Sequence, residues 1–152
     1  MKRILTLLAP AALLMAGCSL AEPAETLSGN PDAPVFTASH VVGTRTTLDE
    51  NQTSVLWSAT DEISVFDGAK TNHKYVAGGA GKTTDFTLKG SASVTEAQTW
   101  YALYPYDAAA SFDGTLVQTN LPAEFTLSGA GSFADGMNIA LASSTSLNLS
   151  FL

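Results

Sequence analysis

The chain has 152 residues, of which 14 are acidic and 7 basic, for a net charge of −7, and 45% are hydrophobic. That balance argues against nucleic acid as a partner, because no basic excess is available to neutralise phosphates. The length suits a single independent core, and the lone cysteine, Cys18, excludes an intrachain disulfide framework.

At the N-terminus Lys2 and Arg3 precede an apolar run, residues 4–15, that is too short to cross a bilayer as a helix; Ala16 and Gly17 follow. Residues 1–17 are therefore expected to be a secretory signal peptide. Leu14-Met15-Ala16-Gly17-Cys18 resembles a bacterial lipobox, with Met15 where that pattern more often has Leu. The resemblance implies that Cys18 is lipidated and becomes the mature N-terminus; the alternative is an ordinary signal peptide beside a chance cysteine. Each buried lipid methylene is worth about 0.8 kcal/mol, so a lipidated chain is anchored to a membrane without spanning it. Cleavage removes Lys2 and Arg3 but no acidic residue, which takes the net charge from −7 to −9. Residues 18–34 contain Pro23, Pro31 and Pro34 among small and acidic residues and read as a flexible tether. Residues 35–152 are the expected folded domain.

Within that domain Thr, Val, Phe and Tyr are broken by Gly, Asn and Asp about every ten residues, and no long window has a helical period. Strands are expected near 35–42, 44–49, 54–58, 62–67, 73–77, 84–89, 98–104, 115–120, 124–128, 138–142 and 147–152. Turns are expected at Asp67-Gly68, Gly78 to Gly81, Gly90, Asp113-Gly114 and Asp135-Gly136. Short strands at this spacing, without crossover helices, predict an all-β antiparallel two-sheet β-sandwich with Greek-key or transthyretin-like connections.

Residues 55–66 are the first landmark. Val55 and Trp57 alternate with their neighbours, as do Ile63 and Val65, which predicts two short strands around a polar corner. Trp57 is the expected core anchor, and Asp61 is expected to hold the corner by accepting N–H bonds from residues that follow it. The second landmark is residues 99–106. Trp100, Ala102 and Tyr104 share one face and Tyr101 and Leu103 the other, as in a strand with neighbours on both sides, and Pro105 stops the ladder because it has no N–H. Tyr104 and Tyr106 are either an exposed platform for a sugar ring or core-edge residues.

Catalytic chemistry finds little support. Gly81-Lys82-Thr83 has the ending of a phosphate-binding loop, but the first glycine that loop requires is replaced by Val76, so it reads as a hairpin turn. His40 and His73 are the only histidines, which leaves no plausible His/Cys metal set once Cys18 is lipidated. Asp107, Asp113 and Asp135 lack the dense spacing of a calcium loop. The chain is therefore expected to be neither an enzyme nor a metal or cofactor protein.

In order along the chain stand a Thr-rich run ending in Leu (residues 44–48), then Trp57, Asp61, Ile63, Val65 and Phe66, then Tyr101-Ala102-Leu103-Tyr104-Pro105-Tyr106, then Leu121-Pro122. This succession resembles the N-terminal domain of the fimbrillin family of Gram-negative surface lipoproteins over most of residues 44–150. A departure is Thr60, where the family often has Gly. Members usually have two domains, so the resemblance implies that the chain is a fragment truncated within the domain, the alternative being a short relative. It further implies a structural or adhesive fimbrial subunit or accessory protein, anchored to the outer membrane and exposed at the cell surface or built into fimbriae. Other fimbrial subunits would be its partners, through strand addition. A non-polymerising lipoprotein that binds a host or glycan ligand is the alternative. Family maturation uses an arginine-directed cut, and Arg45, the only arginine after the signal peptide, is the candidate site; the competing reading is an ordinary strand arginine with its charge in water.

Overall fold

The computed structural model describes residues 30–41, 56–121 and 138–152. Among the described residues there are nine strands: β1 (Phe36–His40), β2 (Glu62–Phe66), β3 (Asn72–Ala77), β4 (Thr83–Leu88), β5 (Trp100–Tyr104), β6 (Ser111–Phe112), β7 (Val117–Gln118), β8 (Ala140–Ser144) and β9 (Asn148–Phe151). The described residues contain no helix, so the all-β class holds. The expected strands at 44–49 and 124–128, and the turn at Asp135-Gly136, lie outside the described residues.

The architecture differs from a plain antiparallel two-sheet sandwich. Seven strands form one mixed sheet in the order β8-β5-β2-β3-β4-β1-β9, while β6 and β7 make a separate hairpin. The mixed character arises at β1, which pairs antiparallel with β4 and parallel with β9. The sheet curls until its two edges meet: Leu152 donates to the Leu141 carbonyl at 3.0 Å and Leu141 donates to the Leu152 carbonyl at 3.3 Å. The result is a nearly closed barrel, which leaves little unpaired edge.

Strand alternation fills its interior. Phe36 and Ala38, Ile63 and Val65, Tyr75 and Ala77, Phe86 and Leu88, Trp100 and Ala102, Ala140 and Ala142, and Leu149 and Phe151 all enter one buried cluster. Alanines on β1, β3, β5 and β8 leave room for the large rings opposite. A second cluster lies outside the barrel, where Phe66, Leu103 and Ala110 are covered by Phe112 and Val117 of the β6–β7 hairpin. β5 lies between β2 and β8 and is packed on both faces.

Two local expectations need correction. Residues 54–58 do not supply a strand in the described part; Trp57 makes only an isolated bridge, its N–H donating to Gly81 at 2.7 Å and its carbonyl accepting from Gly81 at 3.0 Å. Second, the Asp61 carboxylate reaches backward, accepting the N–H of Ser58 at 2.7 Å. The forward-reaching carboxylate is Asp67, which accepts from Ala69 at 3.0 Å and Thr71 at 2.9 Å. Gly68 follows it because a Cβ there would run into the Glu96 carbonyl oxygen.

Candidate functional site

The position of β1 sets the candidate site. Its inner residues Phe36 and Ala38 are fully buried, and its outer residue Thr37 donates its hydroxyl to Asp85 on β4 at 2.7 Å. Ladder bonds hold it on both flanks, including Thr37 N–H to Leu147 and Val41 N–H to Phe151, each 2.9 Å. β1 is therefore an interior strand of the barrel wall, although it comes first among the described strands and its parallel neighbour β9 comes last.

Trp57 fastens β1 from inside. Only 1% of it is exposed, and its indole N–H donates to the Ala38 carbonyl at 3.0 Å. Its ring meets Phe86, Tyr104 and Phe151 edge-to-face at 5.0, 5.3 and 5.4 Å, so β4, β5 and β9 converge on one residue. Such rings bury large areas and add a geometric preference of about 0.5–1.5 kcal/mol per pair. His40, the last residue of β1, lies against the same indole at 3.9 Å between ring centres with a 31° tilt. Phe151 and Tyr104 flank its imidazole at 5.9 and 6.0 Å.

Asp61 and Tyr104 close this end of the barrel. The Tyr104 hydroxyl donates to Asp61 at 3.3 Å, which joins the corner ahead of β2 to the end of β5. Burial pushes the Asp61 carboxyl up, against the lowering effect of the Ser58 N–H and the Tyr104 hydroxyl. Tyr104 thus belongs to the barrel end, and Tyr106 lies beneath the Lys74 ammonium, 4.3 Å from its ring centre. Both rings are half-buried and engaged by neighbouring side chains. Pro105 follows Tyr104 through a cis peptide bond where β5 ends.

The structure thus gathers Trp57, Asp61 and Tyr104 at one end of β1 and adds His40, which the sequence reading placed in no site. The signal available was its place two residues after Ala38, on the inward-facing alternation of β1. Ile63 is fully buried in the barrel, while Tyr101 lies on its outer face against Phe112 at 4.4 Å between ring centres. Cys18 and Arg45 lie outside the described residues.

The other polar clusters serve turns. Asp107 accepts the Thr119 hydroxyl at 2.7 Å and the N–H groups of Ala109 and Asn120, and Asp113 accepts the N–H groups of Thr115 and Leu116. These bonds hold both carboxyls below the usual carboxylate range. Among the described residues no group of three His, Cys, Asp or Glu side chains is placed to hold a metal ion. No protein-family model, curated protein or solved structure matches the chain.

Proposed function

We propose that the chain is a structural or adhesive subunit of a cell-surface fimbrium, tethered to the outer membrane through lipidated Cys18 and joined to its neighbours by strand addition at the position of β1. The observation that carries this reading is the dual pairing of β1, antiparallel to β4 and parallel to β9, with Phe36 and Ala38 buried beneath it. Withdrawing β1 would open a slot with unpaired backbone on both walls and an apolar floor. Such a slot is unstable until another strand supplies main-chain bonds and alternate side chains. The resemblance to fimbrillins and the lipobox-like residues 14–18 support the same reading.

A cut after Arg45 would separate residues 18–45, and with them β1, from the remainder of the barrel in covalent terms. The strand would then be held by non-covalent contacts alone: its ladder, the Trp57 and Thr37–Asp85 bonds and the packing of its inward side chains. N-terminal sequencing of polymer from cells with intact surface proteases tests this, with electron microscopy to identify filaments. The expected result is filaments whose subunit begins at Thr46, abolished by Arg45→Ala. Dispersed lipoprotein without filaments, or polymer that still begins at Cys18, would overturn it.

A further inference from the structure

We infer that the cleft at the Trp100 end of the barrel binds a neutral sugar, whose hydroxyls accept from the Trp100 indole N–H and donate to the carboxylates of Asp32 and Glu96. The inference goes beyond the fimbrial reading and stands whether or not subunits exchange strands.

The cleft has a volume of about 410 Å³. That lies within the range of small-molecule sites, about 300–1,000 Å³. Three segments distant in sequence wall it: Asp32 ahead of β1, Val94 and Glu96 in the loop ahead of β5, and Thr145 and Leu147 in the turn from β8 to β9. Each segment is fixed by bonds of its own. Asn30 donates its N–H to the Gly90 carbonyl at 3.1 Å and its side-chain amide to Ala92 at 3.3 Å. The Thr95 carbonyl accepts from Gly68 at 3.0 Å, and the Leu147 carbonyl accepts from Thr37 at 2.9 Å. The walls are therefore in place without a ligand.

The polar groups that face this space are unmatched. Trp100 lines the cleft, is 5% exposed and packs edge-on against Phe36 at 5.0 Å. Among the described residues nothing accepts from its indole N–H, and that group is not sealed in the core. Among the same residues neither the Asp32 nor the Glu96 carboxylate takes part in a hydrogen bond or ion pair. Lys74 and Lys89 are turned to Glu62, and Lys70 donates to the Asp113 carbonyl.

That combination selects the ligand by elimination. An indole N–H only donates and a carboxylate only accepts. A cation would satisfy the carboxylates and leave the indole N–H without an acceptor. An anion would satisfy the indole and meet two like charges. An uncharged polyol serves both, because each hydroxyl donates and accepts. Val94 and the exposed Leu147 add apolar surface for the C–H face of a pyranose ring. A peptide also carries donors and acceptors, but an extended peptide is read along an unpaired strand edge, and these walls are loops and a turn.

The test is amide and indole N–H NMR of the full chain, in detergent if lipidated, titrated with the methyl glycosides of galactose, mannose, glucose and N-acetylglucosamine. Expected is saturable movement of the Trp100 indole and the Glu96 and Thr145 amides with at least one glycoside, while the Trp57 indole stays in place. A single sugar in an open cleft should bind with a Kd of about 1 mM. Both Asp32 and Glu96 are exposed, so Asp32→Ala and Glu96→Ala leave the fold intact and should each weaken that binding about tenfold. Unchanged affinity in both variants would overturn the inference. Spermidine and a capped trialanine peptide serve as competing probes: saturation by either without a response to any glycoside would assign the cleft to a cation or a peptide and overturn the sugar. No saturable movement with any probe would overturn it as well.

Discussion

The two histidines of this chain lie near opposite ends of β2 and are accommodated in opposite ways. His73, on β3 and 6% exposed, has its Nε2 3.0 Å from the Asp67 carboxylate. That carboxylate also accepts the N–H groups of Ala69, Thr71 and Thr95, so four donors converge on Asp67 at this corner. Burial alone would push the Asp67 carboxyl up; the Thr95 N–H, His73 and the Thr71 N–H together outweigh it and hold the carboxyl below its ordinary 3.8. His40 is seated mainly by rings, with Trp57 closest. At the Asp67 corner directional polar bonds converge on one carboxylate, whereas at the His40 end a few polar bonds, such as Tyr104 to Asp61, accompany packing of rings on Trp57.

The largest expected effect comes from removing the centre of the packed end. Trp57→Ala should cost about 3–5 kcal/mol in urea unfolding, a large part of the stability of a domain this size. A loss under about 1 kcal/mol would mean that the rings around His40 do not depend on the indole.

Next is the bonded end. Asp67→Ala leaves His73 and three backbone N–H groups without their acceptor and should cost about 3 kcal/mol. It should also change the acid limb of the stability curve. Because the folded carboxyl is held low, its contribution is present above 3.8 and disappears as pH falls through the lower folded value. The wild-type protein should therefore weaken in two stages, first through His40 between pH 6.5 and 4 and then through Asp67 below 3.8. Asp61 opposes the first stage, since its raised carboxyl favours the folded state on protonation. Asp67→Ala should abolish only the second stage; loss of both would mean that the two ends do not act separately.

The smallest effect should be Tyr104→Phe, which keeps the ring against Trp57 and His40 but removes the bond to Asp61. A cost of about 1 kcal/mol is expected by urea unfolding. A cost near that of Asp67→Ala would place polar bonding, not packing, at the centre of the His40 end.

Strands β2 to β5 were legible because their apolar residues alternate cleanly, as in Ile63 and Val65 or Trp100 and Ala102. Alternation states which face a residue occupies but not which strand lies beside it, so it could not reveal the parallel pairing of β1 with β9. Barrel closure was hidden for the same reason, since it depends on Leu141 meeting Leu152. Of the two turn aspartates, Asp67 could be recognised from the glycine that follows it, whereas the partners of Asp61 come from Ser58 behind it and Tyr104 on another strand. The β6 strand, two residues long, had no period to detect. For His40 the sequence offered a position on the inward face, and the three rings around it came together only through β5, β9 and the Trp57 bridge.

The parallel pair also bears on how the chain acquires its shape. Thr37 meets Asn148, more than a hundred residues further on, so β1 cannot gain its second neighbour until nearly all of the described chain has been synthesised. Closing so long a loop is slow compared with forming the β2–β3–β4 meander, whose strands follow one another directly. The earliest-made of the described strands is then among the last to settle. A chain delivered N-terminus first would keep the β1 segment unpaired on one side, with the meander formed first and the barrel completed only after β9 has been delivered.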